Sequence, residues 1–401
     1  MRRVVISGAG TINALAEGVA QTQAAMEAGR CAIGDLEFRD VERLSIRIGA
    51  QIKGYDASAR FTAQELALYD PFTQYALIAG AEAMAQAGLE RAPDPNRWGC
   101  IIGSAGGGHT TANNAYRAVF AEGKNRVHPL TVPKLMGNAA PSHLAIRFGL
   151  QGPSFTVSTA CASSNHAIGL AFQMVRSGMV EGMLAGGAEA MLNFGGLKAW
   201  EGLRVMSPDG CRPFSASRNG MVQGEGAGVF VIETFENAQA RGAEPLAEIA
   251  GFAMTSDATD VVMPSLDGAA AAISGALADA GMAPEEVGYI NAHGTGTAAN
   301  DRIETAAIRQ VFGPSAENVP ISATKAMHGH CIGGTGAVEL FACLMALREG
   351  VIAPTIGYDA PDPACDLDYV PNVARRADVG AALSNAFAFG GLNAVLALRR
   401  T

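Results

Sequence analysis

The chain has 401 residues, 49% hydrophobic and 6% aromatic, with 49 glycines and a formal net charge of −9. That length and apolar content hold one large core or two packed domains and exclude a disordered or fibrous chain. The acidic balance and the lack of a dense Lys/Arg run exclude nucleic acid as the partner, and no apolar run is long enough to span a membrane.

Arg3–Ser7 reads as a first buried strand that stops at Gly8, and its apolar part Val4–Ile6 is too short for a signal peptide. Ala83-Met-Ala-Gln-Ala-Gly-Leu89 ends a helix-like stretch at a glycine. A Pro-containing loop then leads to the strand candidate Gly99–Ile102 and the turn Gly103-Ser-Ala-Gly-Gly-Gly108. The run from Phe155 gives way at Cys161 to a helix with apolar positions Ala162, Ala167, Ile168, Ala171, Phe172 and Val175. Val180–Leu184 and Gly226–Ile232 read as further strands, and Ile249–Met254 opens a second half. There the first pattern returns: Ala276-Leu-Ala-Asp-Ala-Gly-Met282, a Pro-containing loop, the strand Val287–Ile290, and the turn Ala292-His-Gly-Thr-Gly-Thr297. Glu339–Leu347 is a helix. Val379–Ser384 and Ala394–Leu398 form a closing strand pair around Phe387-Ala-Phe-Gly-Gly391. Two similar α/β halves, 1–245 and 246–401, are the simplest account of this order.

Cys161 stands at a strand–helix junction, where the unpaired N–H groups and positive dipole end of a helix favour a thiolate. The other cysteines, Cys31, Cys100, Cys211, Cys331, Cys343 and Cys365, are scattered without CxxC spacing, which indicates a reducing cytoplasm and no disulfide framework. His293 lies in Asn291-Ala-His-Gly-Thr-Gly-Thr297 and His330 in Lys325-Ala-Met-His-Gly-His-Cys-Ile-Gly-Gly-Thr-Gly336. A lone histidine is usually a structural donor; two His-Gly motifs with a cysteine at such a junction point instead to a site. His328 raises a metal reading, but zinc needs further ligands at suitable spacing and none is evident.

The constellation resembles the 3-oxoacyl-[acyl-carrier-protein] synthases, condensing enzymes of the elongating type with a Cys-His-His triad. The likeness runs end to end. It is carried by Gly149-Leu-Gln-Gly-Pro-Ser154, Ser158-Thr-Ala-Cys-Ala-Ser163, Gly186-Gly-Ala-Glu189, Arg212-Pro-Phe214 with Gly224-Glu-Gly-Ala-Gly228, Asn291–Thr297, Lys325–Glu339 and Ser384-Asn-Ala-Phe-Ala-Phe-Gly-Gly391. It implies a thiolase-like α/β fold of two similar halves in a layered α/β/α/β/α stack. The usual assembly is a dimer of like chains, with a hetero-pair left open. Acyl and malonyl forms of acyl carrier protein are the implied partners, and no cofactor is required. Cys161 takes the acyl group as a thioester. Malonyl-carrier protein then loses carbon dioxide, and the carbanion attacks the acyl-Cys to give a 3-oxoacyl product two carbons longer.

His293 and His330 are the implied donors to the enolate oxygen, and the N–H groups of Cys161 and Phe389 form the other oxyanion hole. Lys325 and Glu339 match a charged pair compatible with orienting His330. Thr295 and Thr297 match contacts to the pantetheine arm. Phe389 matches a gate made mobile by Gly390 and Gly391, and Phe387 is an implied pocket residue. Asn291, Glu339, Ser384 and Asn385 match positions where some relatives hold a structural monovalent cation; a hydrogen-bonded network without metal uses the same groups.

Several positions depart from the family. Leu392 replaces a common Thr, while Asp260 and Val262 stand where relatives often carry His and Thr. Ser163-Ser-Asn165 lacks a Gly, and Ser215-Ala-Ser217 lacks an Asp. Gly106 and Thr131 replace bulkier residues at the acyl channel, so a roomier pocket for long, unsaturated or bulky chains is expected. Lys134, Arg147 and Arg204 are candidates for docking the acidic carrier. The rivals are a thiolase acting on coenzyme A esters, an acyltransferase without elongation, the active member of a specialised hetero-pair, a non-catalytic chain-length subunit and a Cys-His hydrolase. Thiolases typically pair His with a second Cys, chain-length subunits lose the nucleophile, and two His donors suit condensation better than hydrolysis.

Overall fold

In the computed structural model, which describes residues 2–401, strand β1 runs Val4–Asn13, with every residue buried. It passes through Gly8 instead of stopping there. The reason is the helix laid across it, α1 (Pro71–Gln86), started by the Asp70 cap and Pro71. A Cβ at Gly8 would stand 2.2 Å from the Ala83 carbonyl oxygen, and one at Gly10 2.1 Å from that of Ala79. The glycines are there for close helix–strand approach.

The remaining main strands are β2 (Trp98–Gly103), β3 (Ser154–Val157), β4 (Gly182–Glu189), β5 (Gly226–Thr234), β6 (Ala247–Ser256), β7 (Tyr289–Asn291), β8 (Ile321–Ser322), β9 (Ala381–Ala388) and β10 (Leu392–Arg399). Their order is β8-β7-β9-β10-β6-β1-β5-β4-β2-β3. Read outward from the centre, the two sides repeat one pattern. β1–β5 and β5–β4 are antiparallel, then β4–β2 and β2–β3 parallel. Likewise β6–β10 and β10–β9 are antiparallel, then β9–β7 and β7–β8 parallel. The sides join through the antiparallel register Val4–Ile6 with Ala247–Ile249.

Helices follow the same duplication. α1 and α3 (Ala139–Phe148), with α2 (His109–Phe120) between them in sequence, belong to the first side. There α1 and α3 pack over one face of the sheet. α6 (Leu266–Ala280) and α7 (Ala298–Phe312) cover the corresponding face of the second. Between the two sides of the sheet lie α4 (Ser163–Arg176) and α8 (Thr335–Glu349). All residues of α8 from Thr335 to Leu347 are buried, as expected for a helix apolar around its whole circumference. This is the layered α/β/α/β/α stack. The echo between Ala83–Leu89 and Ala276–Met282 corresponds to the ends of α1 and α6, which stand in equivalent places.

The duplication positions the chemistry. In each half the outermost strand leads into a central helix. β3 is followed by Cys161 and α4, and β8 is followed by Lys325, His330 and α8. β7 delivers His293 on the turn beyond its end, and the β9–β10 hairpin delivers Phe389. No helix among the described residues is long and apolar enough to cross a membrane.

Candidate active site

Cys161 is buried just before the first turn of α4, after Ala160, whose φ of 46° is unusual for a residue with a side chain. One ligand-type atom each from Cys161, His293 and His330 lies within 4.8 Å of the others. The three residues, separated by up to 169 positions, share one pocket of about 160 Å³. Its other walls are mostly apolar and include Trp200, Val205, Met221, Val262, Met263 and Phe387.

The two imidazoles are held differently. His330 Nδ1 accepts the Ile332 N–H at 3.1 Å and lies 2.8 Å from the Thr335 hydroxyl. Ile332 takes φ 45° to make this contact, a genuine outlier for a β-branched residue. Burial first, then the neighbouring Lys325 charge, holds His330 well below the ordinary histidine pKa, so the ring is neutral at pH 7. With Nδ1 accepting, the single ring proton is on Nε2, a buried atom without a partner among the described residues. His293 is neutral for the same reasons, burial first and Lys325 second.

A metal reading of Cys161, His293 and His330 fails on this tautomer. A metal-binding imidazole donates its remote N–H, whereas His330 Nδ1 receives one. His328 contributes nothing to the pocket, because its ring nitrogens face the Gly329 carbonyl and the Thr324 hydroxyl.

Lys325 and Glu339 form a fully buried pair with Nζ–Oε1 at 2.6 Å. The expected link to His330 is replaced by another: Nζ donates to the His293 carbonyl. Burial raises the Glu339 carboxyl to about 7 against the opposing pull of Lys325. Removing one partner strands a charge, so Lys325→Ala should lose ~3–5 kcal/mol of unfolding free energy. A Lys325→Met/Glu339→Met double variant should lose clearly less. Urea unfolding checks this, and a loss below about 1 kcal/mol in the single variant contradicts the buried-pair reading.

Glu304, Glu189 and Trp200 were not assigned roles from the sequence. Glu304 accepts the N–H groups of His293 and Gly294, each at 2.8 Å, and the Asn385 amide at 3.2 Å. Glu189 accepts from Ala105, Gly106 and Gly333. The signal for Glu304 was its place on the helix straight after the His293 turn; for Glu189 it was the motif that ends in it.

The thiolate expectation needs correction. Burial pushes the Cys161 thiol up to about 11, outweighing Lys325 and the N–H groups of Phe389 and Cys161 that reach Sγ. Below that pKa the thiolate fraction grows with pH. Alkylation of the Cys161 peptide by iodoacetamide should therefore climb about tenfold per unit between about pH 6 and pH 9. A plateau at neutral pH would mean the helix end wins over burial. The readout must be peptide-resolved, because Cys31 is exposed.

Thr295, Thr297, Val262, Phe387 and Phe389 all line the pocket. Gly106, Thr131 and Leu392 do not. The space at Gly106 is already taken, since a Cβ there would meet Met191 Sδ at 2.8 Å. The roomier channel is thus not created by this glycine. Thr131 and Lys134 line a separate groove, and Arg147 another. Arg204, at the end of α5 (Phe194–Leu203), adjoins Val205 of the pocket wall. Of the expected cation ligands, Asn291 and Asn385 have buried side-chain oxygens with no partner among the described residues, as does neighbouring Asn165. Asn165 donates to the Ser384 carbonyl at 3.0 Å.

Against known proteins, residues 1–238 match the model of the beta-ketoacyl synthase N-terminal domain and residues 246–359 that of its C-terminal domain. The chain belongs to the beta-ketoacyl synthase family. Nodulation protein E of Rhizobium leguminosarum bv. trifolii is 48% identical over 100% of this chain and 99% of its own. The 3-oxoacyl-[acyl-carrier-protein] synthase 2 of Synechocystis is 38% identical over 100% and 98%. Among solved structures, the ishigamide ketosynthase/chain length factor superposes with TM-score 0.95 at 34% identity, covering 100% and 99%. A type II PKS acyl-carrier protein in complex with its ketosynthase, bound to the hexaketide, gives 0.91 at 31%, covering 100% of both chains. Members of the family are condensing enzymes, and the chain is an acyltransferase of that kind with a thiolase-like fold.

Proposed function

We propose that the chain joins an acyl group to a malonyl unit on acyl carrier protein by decarboxylative Claisen condensation, with Cys161, His293 and His330 as the reacting groups. The single observation that carries this assignment of roles is the convergence of one sulfur and two neutral imidazoles in one buried pocket.

Loading exchanges one thioester for another. Cys161 Sγ bonds to the acyl carbon, the carrier sulfur leaves, and the Cys161 proton ends on the departing thiol. No net base is needed, which suits a thiol that burial keeps protonated. The carbonyl oxygen turns towards the N–H groups of Cys161 and Phe389. Malonyl-carrier protein then loses carbon dioxide, and its thioester oxygen gains the charge. His330 Nε2–H is a fixed, neutral donor for that oxygen, and His293 is the second. The enolate carbon bonds to the acyl carbon, and Cys161 leaves as thiolate and takes up a proton. Thr295 and Thr297, 2.9 Å apart at their hydroxyls, are placed to hold the pantetheine arm.

Five further readings belong to the proposal. The division at 1–245 and 246–401 puts the nucleophile in one half and both histidines with Phe389 in the other. A monovalent cation near Asn291, Glu339, Ser384 and Asn385 is supported by the unpartnered oxygens of Asn291 and Asn385, which suit a hard cation. A dimer of like chains, or a hetero-pair such as the ishigamide ketosynthase/chain length factor, is supported by β3, an edge strand, and by exposed Tyr116, Phe120 and Val132. A cytoplasmic setting rests on the unpaired, unspaced cysteines. Acceptance of long, unsaturated or bulky acyl chains is supported by the apolar lining of the pocket.

The test is product analysis. Acyl- and malonyl-carrier protein incubated with the enzyme should yield a 3-oxoacyl-carrier two carbons longer; acyl exchange without growth would favour the transferase or thiolase reading.

A further inference from the structure

The pocket wall contains one large side chain that neither the triad nor the family resemblance assigns. Trp200, on α5, stacks on the ring of Phe389 with centroids 5.9 Å apart and planes 22° from parallel. The two partners differ in how firmly they are held.

Trp200 is the fixed one. α5 is capped by the Asn193 side chain, which accepts the Gly196 N–H at 3.0 Å. Glu201 on the next residue accepts the N–H groups of Ser45 at 2.6 Å and Ile46 at 2.9 Å. The Arg43 guanidinium sits 4.5 Å over the Phe194 ring at the start of the helix. Trp200 itself packs against the buried cluster of Leu36, Leu197 and Met206.

Phe389 is the less firmly packed one. It occupies the tip of the β9–β10 hairpin, half-buried, followed by Gly390 at φ 85° and Gly391 at φ 68°. The Gly390 N–H donates to the carbonyl of Val261, itself highly exposed, and Gly391 is bonded to Ala388 and Asp257. The Phe389 N–H reaches Cys161 Sγ. A ring on a glycine hinge thus lies against an indole on a braced helix, directly above the nucleophile.

We propose that Trp200 is the clasp of the Phe389 gate, a positioning residue whose indole face holds the ring shut over Cys161 until a long acyl chain displaces it. This rests on the reading of Phe389 as a gate. An offset aromatic stack biases an open–shut equilibrium by about two- to tenfold, so the clasp tunes entry without blocking it. A two-carbon acyl group sits beside Sγ with the ring in place, whereas a ten-carbon chain has to pass it.

The test compares acylation of Cys161 by acetyl- and decanoyl-N-acetylcysteamine, followed by intact mass, in wild type, Trp200→Ala, Trp200→Phe and Phe389→Ala. The acetyl rate is the internal control for folding and for the oxyanion donors. The clasp requires the decanoyl-to-acetyl ratio to rise about two- to tenfold in Trp200→Ala and to return near wild type in Trp200→Phe, which keeps a stacking ring. It also requires a spectroscopic signature. The chain has two tryptophans, and Trp98 is buried on β2. The emission difference between wild type and Trp200→Phe should change on decanoylation and stay put on acetylation. A ratio unchanged or lowered in Trp200→Ala, or an emission unmoved by decanoylation, overturns the clasp. If Phe389→Ala still raises the ratio, the gate survives without it; if neither variant moves the ratio, the gate reading falls as well.

Discussion

Cys161→Ala should abolish chain extension, by on the order of 10⁴-fold or more, while leaving slow loss of carbon dioxide from malonyl-carrier protein. The two outcomes separate because the chemistry has two centres in one pocket. The bond-forming step needs an acyl group held on sulfur, and no other pocket residue offers a nucleophile of that kind. Decarboxylation needs only donors for the enolate oxygen, and those belong to His293 and His330. The alanine removes the sulfur from a site the imidazoles still flank. Parallel assays of 3-oxoacyl product and released carbon dioxide check this. Equal loss of both would mean that Cys161 takes part in decarboxylation itself.

Replacing either histidine by alanine should reverse the pattern. Removal of one preorganised donor to a developing oxyanion costs about 10²- to 10³-fold, or ~2.7–4 kcal/mol of barrier. His293→Ala and His330→Ala should each lose that much in decarboxylation and condensation, yet still acquire an acyl group on Cys161. His293→Ala is the cleaner case. The His330 ring touches the scaffold through Nδ1, to Ile332 and Thr335, and presents Nε2 to the pocket. His293 is fixed through its backbone, by Glu304 and Lys325, so deleting its ring disturbs the frame little. Both rings are neutral well below the ordinary histidine pKa, burial being the main cause in each. Protonation therefore threatens them only in acid well below pH 6.5. A pH–rate profile of decarboxylation that fell through the ordinary histidine range would contradict the neutral-donor account.

Much of this was legible in the chain. His293 and His330 announced themselves through glycine-flanked turns and Cys161 through its strand–helix junction, and the echo of Ala83–Leu89 in Ala276–Met282 marked the duplication. The errors came from tertiary contacts. Gly8 looks like a strand stop locally, but the backbone of α1 requires it, like Gly10, inside β1. The helix end at Cys161 suggests a thiolate, but burial acts on the same sulfur and is not written in local sequence. Gly106 suggests vacant space until Met191, far along the chain, is seen to fill it. Lys325 was paired with the correct carboxylate yet the wrong histidine, because its carbonyl acceptor on His293 is a backbone group that side-chain patterns cannot reveal.

The most direct measurement is a single-turnover count on enzyme preloaded with an acyl group at Cys161 and mixed with malonyl-carrier protein labelled at the methylene carbon. Each acyl group lost from the sulfur should appear as one labelled 3-oxoacyl-carrier and one carbon dioxide. Acyl groups that return to the carrier or to water while the label remains in malonate would contradict a carbon–carbon bond made in this pocket.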